Sequence, residues 1–481
     1  MPLPSIGAAP AASKPYRYFF IAGIAVVLTV GAAWGAWLLL QIAAAGRFTG
    51  ASLFQVNAHG HAQVFGWVGL FVMGFGYQMF PALWQRRLLV PRLVPAVFAA
   101  MIAGIAIRTV AMAAVGARWA VPAVVAGGTL EIAAIAAFAV QLGLTWRASF
   151  ARQQPYLRYV GAALAFFVAQ AIFCVWHTLN TLTAVDRQAL IWAVATYQAV
   201  LRDLQIHGFV LFMVLGVSIQ ILPRFYGVPQ VSRRRARLAW TLILGGVIGE
   251  IALFLLYRFT GRHALAATLM LPWSMLAVGA LSIGAAFRPW RAFLRPERTA
   301  KFVRAAYAWL AASFALLLLM PVYLAATHTP FSHAYYGSIR HAITVGFASQ
   351  MIMGVAAYVV PALRGVPRQG LTSLVGPFAL VNIGCFLRVT LQALTDFHRV
   401  FFALVGASGV LELAALAWWG THLVRMMVLT SRQRPQPLHR AFRHVADDRH
   451  DEAPVPGHVG LGAPGVDRRD DVGGHPVGAR E

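Results

Sequence analysis

The sequence is short of acids. Its 481 residues hold 15 Asp and Glu against 40 Lys and Arg, and only 11% of all residues are charged. Soluble domains carry about a quarter charged residues, so an ordinary soluble enzyme is excluded. Cysteine is nearly absent too. Cys174 and Cys385 both lie inside apolar runs, which excludes a disulfide framework and a CxxC metal site. The low hydrophobicity of a disordered chain is missing, since 59% of the residues are hydrophobic and mean hydropathy is +0.67. Nor does the net charge of +25 mark a nucleic-acid-binding protein. It comes mostly from Arg spaced between long apolar runs, the pattern of a polytopic membrane protein whose first partner is the lipid bilayer.

The few acids are unevenly placed: eight of the fifteen fall in the last 51 residues. That segment, 431–481, is rich in Arg, Asp, Gly, Pro and His, has no apolar periodicity, and is expected to be a disordered cytoplasmic tail. Residues 1–430 keep seven acids, and within a membrane each of them needs a reason.

A bilayer core takes about 20 apolar residues per helix. Twelve such stretches occur, at 17–45, 59–83, 93–115, 119–145, 157–179, 203–226, 236–258, 264–287, 302–326, 337–362, 374–394 and 399–427. The expected fold is an all-α membrane protein, with a cytoplasmic segment 1–16 and a twelve-helix domain 17–430. The first run is too long for a signal peptide and lacks a small-residue cleavage site. The linkers after even-numbered stretches are rich in Arg, as in Arg86/Arg87/Arg92 and Arg233/Arg234/Arg235. On that side 21 Arg and Lys stand against 8 on the other, so the positive-inside rule puts both termini in the cytoplasm.

A repeat runs through the helices. His61, Gly66, Gly74 and Pro81 in the second stretch return as His341, Gly346, Gly354 and Pro361 in the tenth, at an offset of 280. Gly104 and Arg108 return as Gly384 and Arg388 at the same offset, and Glu131 as Glu412 at 281. The sixth stretch is a weaker copy at an offset of 142, with Gly216 for Gly74 and Pro223 for Pro81. Its His207 lies four residues further along than His61 would predict. Glu250 falls where Arg108 sits. The chain therefore reads as three pseudo-repeated four-helix units, 17–145, 157–287 and 302–427.

Ionisable side chains inside a membrane are costly and usually face the bundle interior. Here His61, His207, His341 and His177 gather toward one end of their helices, with Arg108, Arg388 and Glu250 nearby and Glu131 and Glu412 nearer the middle. Neutral imidazole is the commonest metal ligand, and two His on facing helices can hold a haem. Arg108 and Arg388 suit haem propionates or, equally, pair with Glu131, Glu250 or Glu412, which alternatively relay protons. Residues two apart on a helix point to different sides. His59 therefore either precedes the helix or serves a different centre from His61.

At these residues the chain resembles the NnrS family. His59-Gly-His61 followed by Phe65-Gly66, and His341-Ala-Ile-Thr-Val-Gly346 with Met351, resemble that family's two His motifs, and the likeness spans 17–427. It implies a multi-pass inner-membrane protein with haem and copper, tied to nitric oxide and to resistance against nitrosative stress. It also implies a small ligand such as nitric oxide and an electron donor that the sequence does not identify. Twelve helices with His on the second, sixth and tenth are similar to haem-copper oxidases and nitric oxide reductases as well. The adjacent His-His pair of those proteins is missing, which argues against a complete oxidase-type binuclear centre.

The similarity implies a low-spin haem held by His61 and His341, and a second, copper centre at His207 with His59 or His177. The alternative is a transporter using the same Arg, Glu and His residues, for which a helix broken by Gly or Pro at the site is expected. Pro81, Pro223 and Pro361 lie at the far ends of their helices.

Overall fold

The computed structural model describes residues 14–149, 154–295, 297–367 and 370–429. The expected tail 431–481 and the segment 1–13 lie outside the described residues. Within them all regular structure is helical, and twelve helices are long and apolar enough to cross a membrane. They are α1 (Pro15–Ala45), α2 (Leu53–Leu83), α3 (Pro91–Ala113), α4 (Ala120–Arg147), α5 (Tyr156–Leu182) and α6 (Arg187–Tyr226). Then follow α7 (Arg233–Thr260), α8 (Ala264–Ala286), α9 (Ala300–Thr327), α10 (His333–Arg364), α11 (Val375–Leu394) and α12 (Val400–Val428).

Ten of the twelve boundaries fall within four residues of the hydrophobic stretches. The two exceptions both start early. Helix α2 begins at Leu53, so His59 lies inside the helix and not before it. Helix α6 begins at Arg187, well upstream of 203. Its first turns carry Arg187, Gln188, Gln198 and Arg202, which interrupt the apolar run, but Asp186 caps it: its carboxylate accepts from the Ala189 N–H at 2.7 Å.

Three helices form the interior. In α2, α6 and α10, 83% of the most apolar window is buried by protein, against 28–44% in the other nine. Helices α2, α6 and α10 pack closely on α1, α5 and α9 respectively, each through two glycines eight residues apart. A Cβ on Gly74, Gly216 or Gly354 would stand 2.7, 2.7 or 3.0 Å from the Cβ of Phe19, Tyr159 or Phe302. A Cβ on Gly66, Gly208 or Gly346 would run into the side chains of Val26, Phe166 or Trp309 at 2.3–2.7 Å. Without a hydrophobic force between helices in lipid, such small-residue contacts supply the packing.

Each inner helix also departs from α geometry over eight residues. The π-helical segments are Ala62–Gly69, Leu204–Leu211 and Ala342–Ser349, at offsets of 142 and 280 from the first. Such segments are rare and cluster at functional sites.

Candidate functional site

His59, Gly60 and His61 occupy the last turn before the π segment of α2, and each meets a different neighbour. His59 Nδ1 lies 2.9 Å from the Gly31 carbonyl oxygen of α1. Its ring lies against Gly35, where a Cβ would come within 2.4 Å of His59 Cε1, so only glycine leaves room for the imidazole. Gly60 faces the Arg202 guanidinium, 3.0 Å from where its Cβ would be. His61 points the other way, with Nε2 2.7 Å from Glu131 Oε1.

Glu131 is the hub of a buried ion network. Arg108 Nη1 donates to Glu131 Oε2 at 2.5 Å, and both residues are wholly buried. Arg108 Nη2 donates to Cys174 Sγ at 3.2 Å and to Thr178 Oγ1 at 3.3 Å. His61 Nδ1 sits 3.4 Å from Thr109 Oγ1. Both ring nitrogens of His61 are therefore engaged, and Arg108 is matched by a carboxylate of its own. The expectation had His61 as an axial ligand and Arg108 facing a propionate; in this structure both are instead partnered by Glu131.

The matching residues on α10, α11 and α12 are arranged alike but left open. The Glu412 side chain packs on Gly384 as the Glu131 side chain packs on Gly104: a Cβ on either glycine would meet the Glu Cγ at 2.8 and 2.6 Å. Yet Arg388 and Glu412 form no ion pair among the described residues. Arg388 Nε and Nη1 and Glu412 Oε1 are buried without a hydrogen-bond partner. His341 Nδ1 lies 3.1 Å from the Gly337 carbonyl oxygen, and its other ring nitrogen makes no hydrogen bond among the described residues. The charges that bear on His341 are those of Arg388, His59 and Arg340, and those on His59 are Arg202 and Arg388. His59 and His341 lie within electrostatic reach of each other, and Arg388 bears on both. Around the two stand Arg202, Arg340 and Arg388, and Arg340 Nε too lacks a partner.

Between α6 and α7, His207 Nδ1 lies 2.8 Å from Glu250 Oε1. Asp203 joins them: one ligand atom from each of the three lies within 4.8 Å of the others. Sequence reasoning missed Asp203, Arg202 and Arg340. Asp203 had a signal, since it stands 142 residues after His61 and 138 before His341, the repeat position itself. His207 occupies the fourth residue of its π segment.

His177, on α5, lies apart from that group. Its Nε2 is 2.8 Å from Gln198 Oε1, and its buried Nδ1 has no partner. It lines a small cavity together with His61, Met112, Cys174 and Arg202.

The sequence model of a protein family described as NnrS protein matches residues 10–431. No curated protein matches the chain. A haem-copper terminal oxidase solved as a dimer by cryo-EM is similar in fold, with a TM-score of 0.61 at 13% identity over 90% of each chain.

Proposed function

From the premise that the chain belongs to the NnrS family and shares the fold of a haem-copper oxidase, we propose a membrane haem protein with copper that handles nitric oxide or its metal adducts. The observation that carries this reading is the pair His59 and His341. Each imidazole has Nδ1 tied to a backbone carbonyl, at 2.9 and 3.1 Å, and its other nitrogen makes no hydrogen bond among the described residues. A metal-ligating His is held in this way, its other ring nitrogen donating to a carbonyl that fixes the tautomer and the ring's orientation.

The surroundings suit a haem too. The glycine cradle at Gly35 holds the His59 ring. Arg388 and Arg340 keep buried guanidinium nitrogens without partners, and Arg matches carboxylates such as haem propionates. A haem bound there supplies a redox-active iron that exchanges electrons with a donor. There the Gly31 and Gly337 carbonyls would orient the two imidazoles, and Arg388 and Arg340 would neutralise propionates.

Copper fits a different place. Met112, Cys174 and His177 are among the residues that line the cavity beside α5, with His177 Nδ1 unpartnered among the described residues. Thioether, thiolate and imidazole are the donors that select Cu(I). The transporter reading is less well supported. Helices α2, α6 and α10 run unbroken through the His level, and their prolines lie near the opposite ends.

The optical spectrum of the detergent-purified protein tests the proposal. A Soret band that shifts on reduction and on adding nitric oxide is expected, and a colourless protein without bound metal overturns the reading. The same proposal places the protein in the inner membrane with both termini in the cytoplasm, on the 21 to 8 asymmetry of Arg and Lys. A reporter fused after residue 430 that works only in the periplasm contradicts that orientation.

A further inference from the structure

The haem and copper reading leaves one group of interior titratable side chains unused. Asp203 and His207 stand on α6, and Glu250 enters from α7. We propose that these three side chains bind a divalent cation of the iron(II), manganese or zinc class, distinct from the haem and from copper.

Charge is the first argument. Two carboxylates, Glu250 buried and Asp203 half-buried, lie within 4.8 Å of each other and of the buried His207 imidazole, on membrane-spanning helices. The hydrogen bond from His207 Nδ1 to Glu250 Oε1 is the only one that either carboxylate makes among the described residues. No Arg or Lys forms an ion pair with Asp203 or Glu250 there. Arg340 bears on Asp203 from α10, but its guanidinium lies over the Tyr336 ring, 3.9 Å from the centroid. The contrast with Glu131, which is saturated by Arg108 and His61, is direct. Buried charges persist only when paired or bound to metal.

The donor set decides the class of ion. One imidazole nitrogen and two carboxylates suit iron(II), manganese or zinc, whereas Cu(I) prefers thiolate and thioether. Metal–ligand bonds of about 2.0–2.2 Å put ligand atoms roughly 3 Å apart; His207 and Glu250 already stand at that spacing, 2.8 Å apart, so binding needs chiefly Asp203 to close in. The π segment helps to set this up: Asp203 is the residue before it and His207 lies within it. The His207 ring is backed by Phe314, nearly parallel at 6.1 Å between centroids.

Register is the third argument. His61, Asp203 and His341 occupy one repeat position, immediately before the three π segments. Among the described residues only the middle unit brings two acids and a His together there. This site does not depend on the haem reading, and the two are measured separately.

The test uses the full chain in detergent. The protein is stripped with a chelator, equilibrated without oxygen against equal concentrations of Fe(II) and Cu(I), and desalted. Iron and copper are counted by mass spectrometry, with haem iron subtracted from a pyridine haemochrome assay. The wild type should retain about one non-haem iron per chain. Asp203→Asn and Glu250→Gln should each lose at least about nine-tenths of it, with the elution profile and any Soret band unchanged. If Asp203→Asn does not fold, Asp203→Glu should hold iron at least tenfold more weakly and His207→Gln should lose it. A folded wild type without non-haem iron, copper retained in its place and lost in the same variants, or undiminished iron binding in the variants overturns the proposal.

Discussion

The three inner helices and the nine around them overlap in apolarity, with mean hydropathy of 1.2–2.0 in the inner set and 1.4–2.1 in the outer. Mean hydropathy is 2.0 in the inner α6 and also 2.0 in α7 and α9, which face outward. What differs is surroundings: 83% of the apolar window is buried in α6 and 28% in α7 or α9. Lipid tails are as apolar as leucine, so hydropathy does not tell an inner helix from an outer one. The difference shows instead in backbone and polar chemistry. The inner helices carry three eight-residue π segments. Among the described residues the outer ones have only the five-residue segment Val27–Gly31 in α1. The outer helices send their charges inward: Arg108, Glu131, Glu250, Arg388 and Glu412 are all buried.

The sharpest way to break this contrast is to remove a charge that an outer helix points inward. Arg108→Leu leaves Glu131 buried with His61 as its remaining partner and should cost about 3–5 kcal/mol, seen as lost membrane yield and an earlier thermal transition. Wild-type yield and melting would show that Glu131 is not buried as a charge.

A middle-sized effect is expected where the inner helices touch their neighbours. In Gly74→Ala and Gly216→Ala the new Cβ stands 2.7 Å from the Cβ of Phe19 or Tyr159, atoms fixed close to backbone. Each should cost about 1–3 kcal/mol by overpacking, read as a fall in the detergent melting temperature. An unchanged melting temperature in both would mean that these helices are less tightly packed than described.

The smallest effect belongs to the outer surface. Gly143 in α4 and Gly161 in α5 have nothing within 4 Å of an added Cβ. Gly143→Ala and Gly161→Ala should change stability by no more than about 0.5 kcal/mol. A drop comparable to that of Gly74→Ala would place these faces against protein.

Much of this architecture was legible in the sequence, because spans announce themselves by length and apolarity. The repeat offsets brought Glu131 and Glu412 to matching places on Gly104 and Gly384. What the sequence hid has physical causes. The start of α6 is polar, which placed Asp203 at a helix end when it lies well inside α6. The choice between His59 and His61 depends on which neighbour each side chain meets. That is set by Gly35 and Glu131, residues far away in the chain. Arg388 and Glu412 look like Arg108 and Glu131 in register, and only the geometry separates a closed ion pair from an open one.

The central claim is that His59 and His341, and not His61, hold the haem. It is tested most directly by low-temperature electron paramagnetic resonance and reduced-minus-oxidised spectra of three single variants at matched protein. His59→Ala and His341→Ala should lose the low-spin bis-imidazole signal. His61→Ala should keep it, because its loss leaves Glu131 still paired with Arg108 at 2.5 Å. Loss of the signal in His61→Ala with retention in His59→Ala would contradict the account.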